Sequence, residues 1–219
     1  MAKPSTHPPR LDVLRTLDLA EGDTDSLESH DGRDGERYSG ADLGERDLAG
    51  ATFTECEFLD LSAHETDFRA AEFVDTRFDR LNAPIFKAPR SRFRDVTIEN
   101  SRVGSAEFYE ASWQSVHFRN CKLGYINLRG ANLRDVLFTN CQIEELDIGG
   151  AKALRVAFVD TVITNLDVTR SQLEHVDLRG ADMRALSGLE GLRGATVNPY
   201  QVTELAPIFA RQFGIRVEE

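Results

Sequence analysis

The sequence predicts an all-β rod in which the chain turns a corner every five residues and closes a square coil every twenty. Three observations predict it. Apolar residues recur with a period of five, they sort into columns twenty residues apart, and neighbouring inward positions trade volume.

Every fifth residue from Tyr38 to Met183 gives 30 positions, and 26 are Phe, Leu, Ile, Val, Met, Tyr or Trp; Ala63, Ala83, Ala88 and Ala153 are the exceptions. Ten of the 13 Phe residues and the lone Trp113 fall there. The residue two before each centre is small or apolar almost throughout: of 29 such sites from Ala41 to Ala181, only Arg46 is charged, and all three cysteines belong to this class. A helix would smear a five-residue period around its circumference, and a strand would send alternate centres to opposite faces. A chain that points two side chains inward and then turns accounts for it. Coils stacked by parallel pairing rise roughly 4.8 Å each, so thirty units make a rod of about 36 Å.

The columns support closure at twenty. One reads Tyr38, Phe58, Phe78, Ile98, Phe118, Phe138, Phe158, Leu178, a core ladder of mostly aromatic rings; Phe93 and Trp113 share another. Val96, Val116, Val136, Val156 and Val176 form a further column. Where the centre shrinks to Ala63, Ala83 or Ala88, the inner partner grows to Leu61, Leu81 or Phe86, as a close-packed interior requires. Ala153 breaks the rule because its partner is Ala151, so either Leu154 turns inward or a small void remains.

Units such as Ala41-Asp42-Leu43, Ala131-Asn132-Leu133 and Ala181-Asp182-Met183 resemble those of the pentapeptide-repeat family, over residues 38–197. The resemblance implies a right-handed quadrilateral parallel β-helix. The register holds from 38 to 183 without an insertion. In lacking insertions the chain resembles in type the loopless actinobacterial, gyrase-interacting (quinolone resistance) members of that family.

Three segments follow. Residues 1–37 lack the period and hold nine acidic and five basic residues, so they read as a partly flexible arm and possible cap. Within it Leu11, Val13, Leu14, Leu17 and Leu19 are candidates to cover the first coil. Residues 38–197 form the rod, with Gly188, Gly191 and Gly194 absorbing a one-residue register change before Val197. Residues 198–219 carry a helix signal. Asn198 is the N-cap, Pro199 the first helical residue and Gly214 the stop. Val202, Leu205, Ala206, Phe209, Ala210 and Phe213 are expected to share one face, Pro207 to kink or split the helix, and Ile215 and Val217 to form a short strand. The segment is expected to cap the rod and, as the resemblance implies, to pair two chains through Val202, Leu205, Phe209 and Phe213.

The 219-residue chain carries a net charge of −11, unevenly distributed. Residues 38–80 hold 11 acidic and 4 basic side chains, residues 81–134 hold 4 and 9, and residues 135–186 hold 9 and 5. The outward Asp42, Asp47, Asp67, Asp147, Asp167, Asp177 and Asp182 form the candidate acidic partner-binding surface, because regularly spaced carboxylates imitate a phosphate track. The basic 87–102 segment is a poor nucleic-acid site, since the whole chain is acidic and few outward aromatics interleave with its arginines.

Enzyme chemistry finds little footing. Carboxylates twenty apart, such as Asp147 and Asp167, approach each other by repetition alone, with no implied cleft. No CxxC, HExxH or phosphate-cradling glycine loop occurs, so neither a metal nor a cofactor is expected. Cys121 and Cys141, one coil apart, read as buried thiols. Gly130 and Gly180, in the string Leu-Arg-Gly-Ala, read as corner residues. No apolar run suits a membrane span or signal peptide, which points to the cytoplasm.

The expected function is therefore that of a noncatalytic protein. The resemblance implies a DNA mimic that binds DNA gyrase or topoisomerase IV and modulates it or protects it from quinolone-type inhibitors. The alternative is a protein–protein scaffold with no topoisomerase role, using a sticky patch at Leu137, Ala157 and Val162.

Overall fold

The computed structural model describes residues 6–12 and 18–218. It is a parallel β-solenoid of about nine turns closed by one helix, Pro199–Gln212. Residues twenty apart pair in parallel: Trp113 lies against Leu133, Val116 against Val136, and Phe118 against Phe138. The same offset carries Phe138 to Phe158. One sheet has thirteen strands and the other six.

The corners explain the period. Among the described residues, the twenty non-glycine residues with positive φ all sit at positions divisible by five, and eight of them are Asn or Asp, the residues that best tolerate this region. A left-handed L-residue costs about 1 kcal/mol. The ladder offsets that cost, because corner N–H groups donate to the next coil: Asn100 to the Arg119 carbonyl at 3.0 Å, and Asn140 to that of Val159 at 2.9 Å. The corner amides also chain along the rod, Asn140 Nδ2 donating to Asn120 Oδ1 at 2.9 Å. One corner changes character midway. Glu45 and Glu65 are left-handed, whereas Ile85 lies within the extended run Asn82–Lys87. A β-branched residue resists the left-handed region, and parallel pairing copies the straighter path to Ser105 and Tyr125.

The predicted ladder is buried and stacked. Phe58 and Phe78 lie 4.9 Å apart at 8°, Phe118 and Phe138 5.0 Å apart at 13°, and Phe138 and Phe158 5.1 Å apart at 9°. Phe93 and Trp113 are equally buried, but they meet edge to face at 5.8 Å and 65°. All three cysteines are free, buried thiols. Burial pushes the Cys56 thiol up to about 11. Leu154 stays half-buried instead of turning inward, and Ala153 is one of the residues around a core gap of about 10 Å³ whose apolar walls offer a water no hydrogen-bond partners.

Both ends depart from expectation. Pairing begins before Tyr38: Ala20–Glu21 pairs with Glu36–Arg37, and Gly32–Asp34 with Thr52–Thr54. The first coil is closed by Leu27 and Tyr38, both buried. Leu19 is half-buried; Val13, Leu14 and Leu17 lie outside the described residues. Leu11 belongs to a segment, residues 6–12, that contacts the outside of the rod far from that coil. At the other end Val176 pairs with Ala195, an offset of nineteen that realises the one-residue register change. Gly180 is not a left-handed corner: a Cβ there would meet the Phe158 carbonyl oxygen at 2.2 Å, so close approach demands the glycine.

The helix is a single run through Pro207, with no split. Pro207 and Thr203 are both exposed, so the loss of the helical donor to the Thr203 carbonyl falls on the solvent side of the helix. The buried side is Gln201 and Leu205, with Ile208 and Phe209 packed against the core; Ala206 is exposed, so the anticipated face is rotated. Gly214 ends the helix at φ 68, with Ile215 N–H donating to the Ala210 carbonyl at 2.8 Å and Gly214 N–H to that of Arg211 at 3.1 Å. Residues 215–218 form no strand.

Candidate interaction surface

The outward side chains form columns along the rod. One runs Asp47, Asp67, Lys87, Glu107, Asn127, Asp147, Asp167, each paired with the next. It brings together four of the seven candidate carboxylates. Asp42 and Asp182 stand at opposite ends of a second column whose middle is Arg102 and Lys122. Asp177 lies on a third, beyond Leu137 and Ala157. The structure thus gives one acidic column and three outliers, not a single seven-residue surface.

Six of these aspartates also have a local task. An Oδ1 atom of Asp42, Asp47, Asp67, Asp147, Asp167 and Asp177 accepts the backbone N–H two residues on, at 2.8–3.1 Å. That is the reason Asp or Asn stands between the inner residue and the centre in these units: the carboxylate or amide closes the turn before the corner. Asn127 does the same for Arg129. Some second oxygens are also engaged. Asp67 pairs with Arg69, Asp177 with Arg179, and Arg129 bridges Asp147 at 2.6 Å and Asp167 at 3.8 Å. Asp147 is nearly covered, with 5% of its side chain exposed. Asp42 and Asp47, near the start of the rod, are exposed.

The basic segment wraps around the rod and pairs with neighbouring carboxylates. Lys87 meets Glu65 at 3.1 Å, Arg90 meets Glu110 at 2.8 Å, Arg92 meets Glu72 at 3.5 Å, and Arg94 meets Asp95 at 3.7 Å. Arg77 sits among Glu57, Asp79 and Glu99. Burial works against the charge of Glu57, but Arg37 and Arg77 together hold its pKa below the usual carboxylate range. Each of these four cations of the segment thus has a carboxylate within 4 Å.

Leu137 and Ala157 are direct neighbours, and Val159 beyond them is 43% exposed. Val162 lies in the other sheet, against Gln142 and Asp182, so it does not extend that patch. Of the candidate dimer residues, Leu205 and Phe209 turn toward the rod, while Val202 and Phe213 are exposed alongside Tyr200, Ile215 and Val217.

Two functional side chains escaped sequence reasoning. Gln201 Nε2 donates to the carbonyls of Leu178 and Ala181 at 2.7 and 2.8 Å, while its Oε1 accepts the Asn198 N–H at 2.8 Å. It is both capping-box residue and plug for the last coil; Gln three residues after Asn198 was the signal. Arg46, the charged exception among the inner sites, donates to the Thr24 and Leu27 carbonyls at 2.5 Å and so closes the first coil.

Residues 86–148 match the family model described as a pentapeptide repeat region. No curated protein sequence matches the chain. Solved structures similar to this repeat rod include a trypsin-treated form of QnrB1, a plasmid-mediated fluoroquinolone resistance protein, at 16% identity over 91% of this chain and 96% of that one, TM-score 0.37. Another is HetL, a pentapeptide repeat protein involved in heterocyst differentiation regulation from the cyanobacterium Nostoc, at 15% identity over 77% and 90%, TM-score 0.30. Among the described residues no helix is long and apolar enough to cross a membrane, and no group of three His, Cys, Asp or Glu could hold a metal ion.

Proposed function

We propose that the chain is a noncatalytic, cytoplasmic protein-binding rod whose acidic column occupies the DNA site of a type II topoisomerase, DNA gyrase or topoisomerase IV. The observation that carries this reading is the column Asp47, Asp67, Glu107, Asp147, Asp167, interrupted by one base, Lys87, and by the neutral Asn127. Its side chains repeat at about 4.8 Å, against one phosphate per about 3.4 Å along a DNA strand. The partner class follows from the pentapeptide-repeat resemblance. Because the column is sparser than a phosphate track and its aspartates also close turns, binding is expected to be salt-sensitive and modest. Supercoiling and quinolone-stabilised cleavage by purified gyrase are the direct measurement. Micromolar protein should lower both at low salt, and no effect there moves the assignment to a scaffold role. The observation favouring that second reading is the exposed Val159 beside the half-buried Leu137, over the buried Ala157.

The exposed Tyr200, Val202, Phe213, Ile215 and Val217 support a homodimer through the C-terminus. Phe213, 76% exposed, is the natural probe. Phe213→Glu should halve the mass seen by light scattering while leaving the β-sheet circular dichroism unchanged; an unchanged mass rejects this joint.

A further inference from the structure

Residues 6–12 lie against one corner of the rod and cross several coils. The Asp12 N–H donates to Ser115 Oγ at 3.0 Å, and the Arg10 N–H to Asp135 Oδ1 at 2.8 Å. His7 meets His175 with ring centroids 4.4 Å apart at 72°, and its N–H reaches His175 Nδ1 at 3.5 Å. The Thr6 and Thr196 hydroxyls bond to each other. The order is strict: as the arm runs backward from 12 to 6, the contacts climb from 115 through 135 and 175 to 196.

The lengths agree. Three coils from Ser115 to His175 rise about 14 Å. Five residues from His7 to Asp12 span about 15 Å in a polyproline II conformation. Pro8 and Pro9 favour that conformation and bring no N–H groups that would need partners. Backbone donors are used at His7, Arg10 and Asp12, and the corner supplies acceptors at His175, Asp135 and Ser115, the intervening Arg155 gripping Asp135 instead. Those acceptors are preset: Arg155 grips Asp135 through Nε at 2.5 Å and Nη2 at 2.7 Å. Burial disfavours the Asp135 charge, but Arg155 and the Arg10 N–H hold its pKa below the usual carboxylate range. Ser115 and Asp135 are both buried.

We propose that the corner Ser115–Asp135–Arg155–His175 is a binding track for an extended, proline-containing peptide, occupied in cis by residues 6–12. The track selects backbone: it demands N–H groups at the positions of Arg10 and Asp12 and accepts proline at the positions of Pro8 and Pro9. Tethering gives the arm a high effective concentration, so a segment of the same kind on another protein gains access only by displacing it. This holds whether or not the rod binds a topoisomerase.

The test uses the full chain. Arg10→Pro removes one donor without touching the rod, and Arg10→Ala keeps that donor while removing the side chain. Hydrogen exchange in the arm should rise about tenfold or more in Arg10→Pro, the loss expected for one hydrogen bond to a charged acceptor. It should stay near the parent value in Arg10→Ala. A fluorescent synthetic peptide of residues 1–12 should then bind Arg10→Pro saturably and the parent chain weakly, and the same peptide with proline at position 10 should not bind. Peptide binding to neither chain, or equally to both, overturns the proposal, as does equal arm exchange in the two variants.

Discussion

The two ends of the rod face the same problem and solve it with different material. A terminal coil has carbonyls for which no further coil supplies N–H groups. At the start, Arg46 reaches back from within the repeat to the Thr24 and Leu27 carbonyls, above a lid of Leu27 and Tyr38. At the finish, a separate helix brings Leu205 onto the last coil and Gln201 to the Leu178 and Ala181 carbonyls. One end spends a position that is otherwise small or apolar; the other leaves the repeat altogether. The lesson is that a solenoid end is specified by donors as much as by apolar cover.

The comparison breaks first on packing. Phe138, stacked between Phe118 and Phe158, serves two coils at once. Phe138→Ala should lose about 3–5 kcal/mol in urea unfolding, whereas Leu205→Ala, at one end, should lose about 2. Equal losses would mean that the cap is as integral as the middle.

Next come the plugs themselves. Arg46→Met and Gln201→Met keep bulk but strand carbonyls, and each should cost about 1–3 kcal/mol. Their effects should add within about 0.5 kcal/mol, because Arg46 and Gln201 share no bonding partner. Strong non-additivity would show coupling along the whole rod.

A smaller effect sharpens the contrast with the middle. His117 bonds Thr139 at 3.0 Å, and burial, aided by Arg119, pushes its pKa down to about 4. Above the ordinary value of about 6.5, neither folded nor unfolded chain holds the proton. Between about 6.5 and 4 the unfolded chain binds a proton that the folded chain refuses, so stability falls as pH falls. The loss from this group should be about 1 kcal/mol by pH 5 after allowance for partial exposure. His117→Gln should flatten that part of the profile, measured as urea midpoints at pH 7 and 5; an unchanged slope would place the titrating group elsewhere.

Much of the fold was legible because five-residue periodicity is a local geometric demand repeated thirty times. Phe118 and Phe138 could be placed together from their spacing alone. The outward aspartates were misjudged as a set, since the same residue type that carries negative charge also closes each turn; only the Asp147 and Asp42 surroundings tell a covered carboxylate from an open one. The helix was legible as an element, but its rotation was not. The apolar pattern placed Leu205 and Phe209 on the inner face but also Val202 and Ala206, which are exposed, while the bonds of Gln201 to the last coil bring Gln201 and Ile208 inward instead.

By itself the sequence determined the coil, its columns, its register change and its terminal helix, because each follows from contacts that recur at a fixed interval or lie within a few residues. Tertiary structure alone decided where residues 6–12 lie, which aspartates remain open and which face of the helix seals the rod. Those outcomes depend on groups that meet across the fold, such as Arg10 with Asp135 and Thr6 with Thr196, and no period or propensity encodes a meeting of that kind.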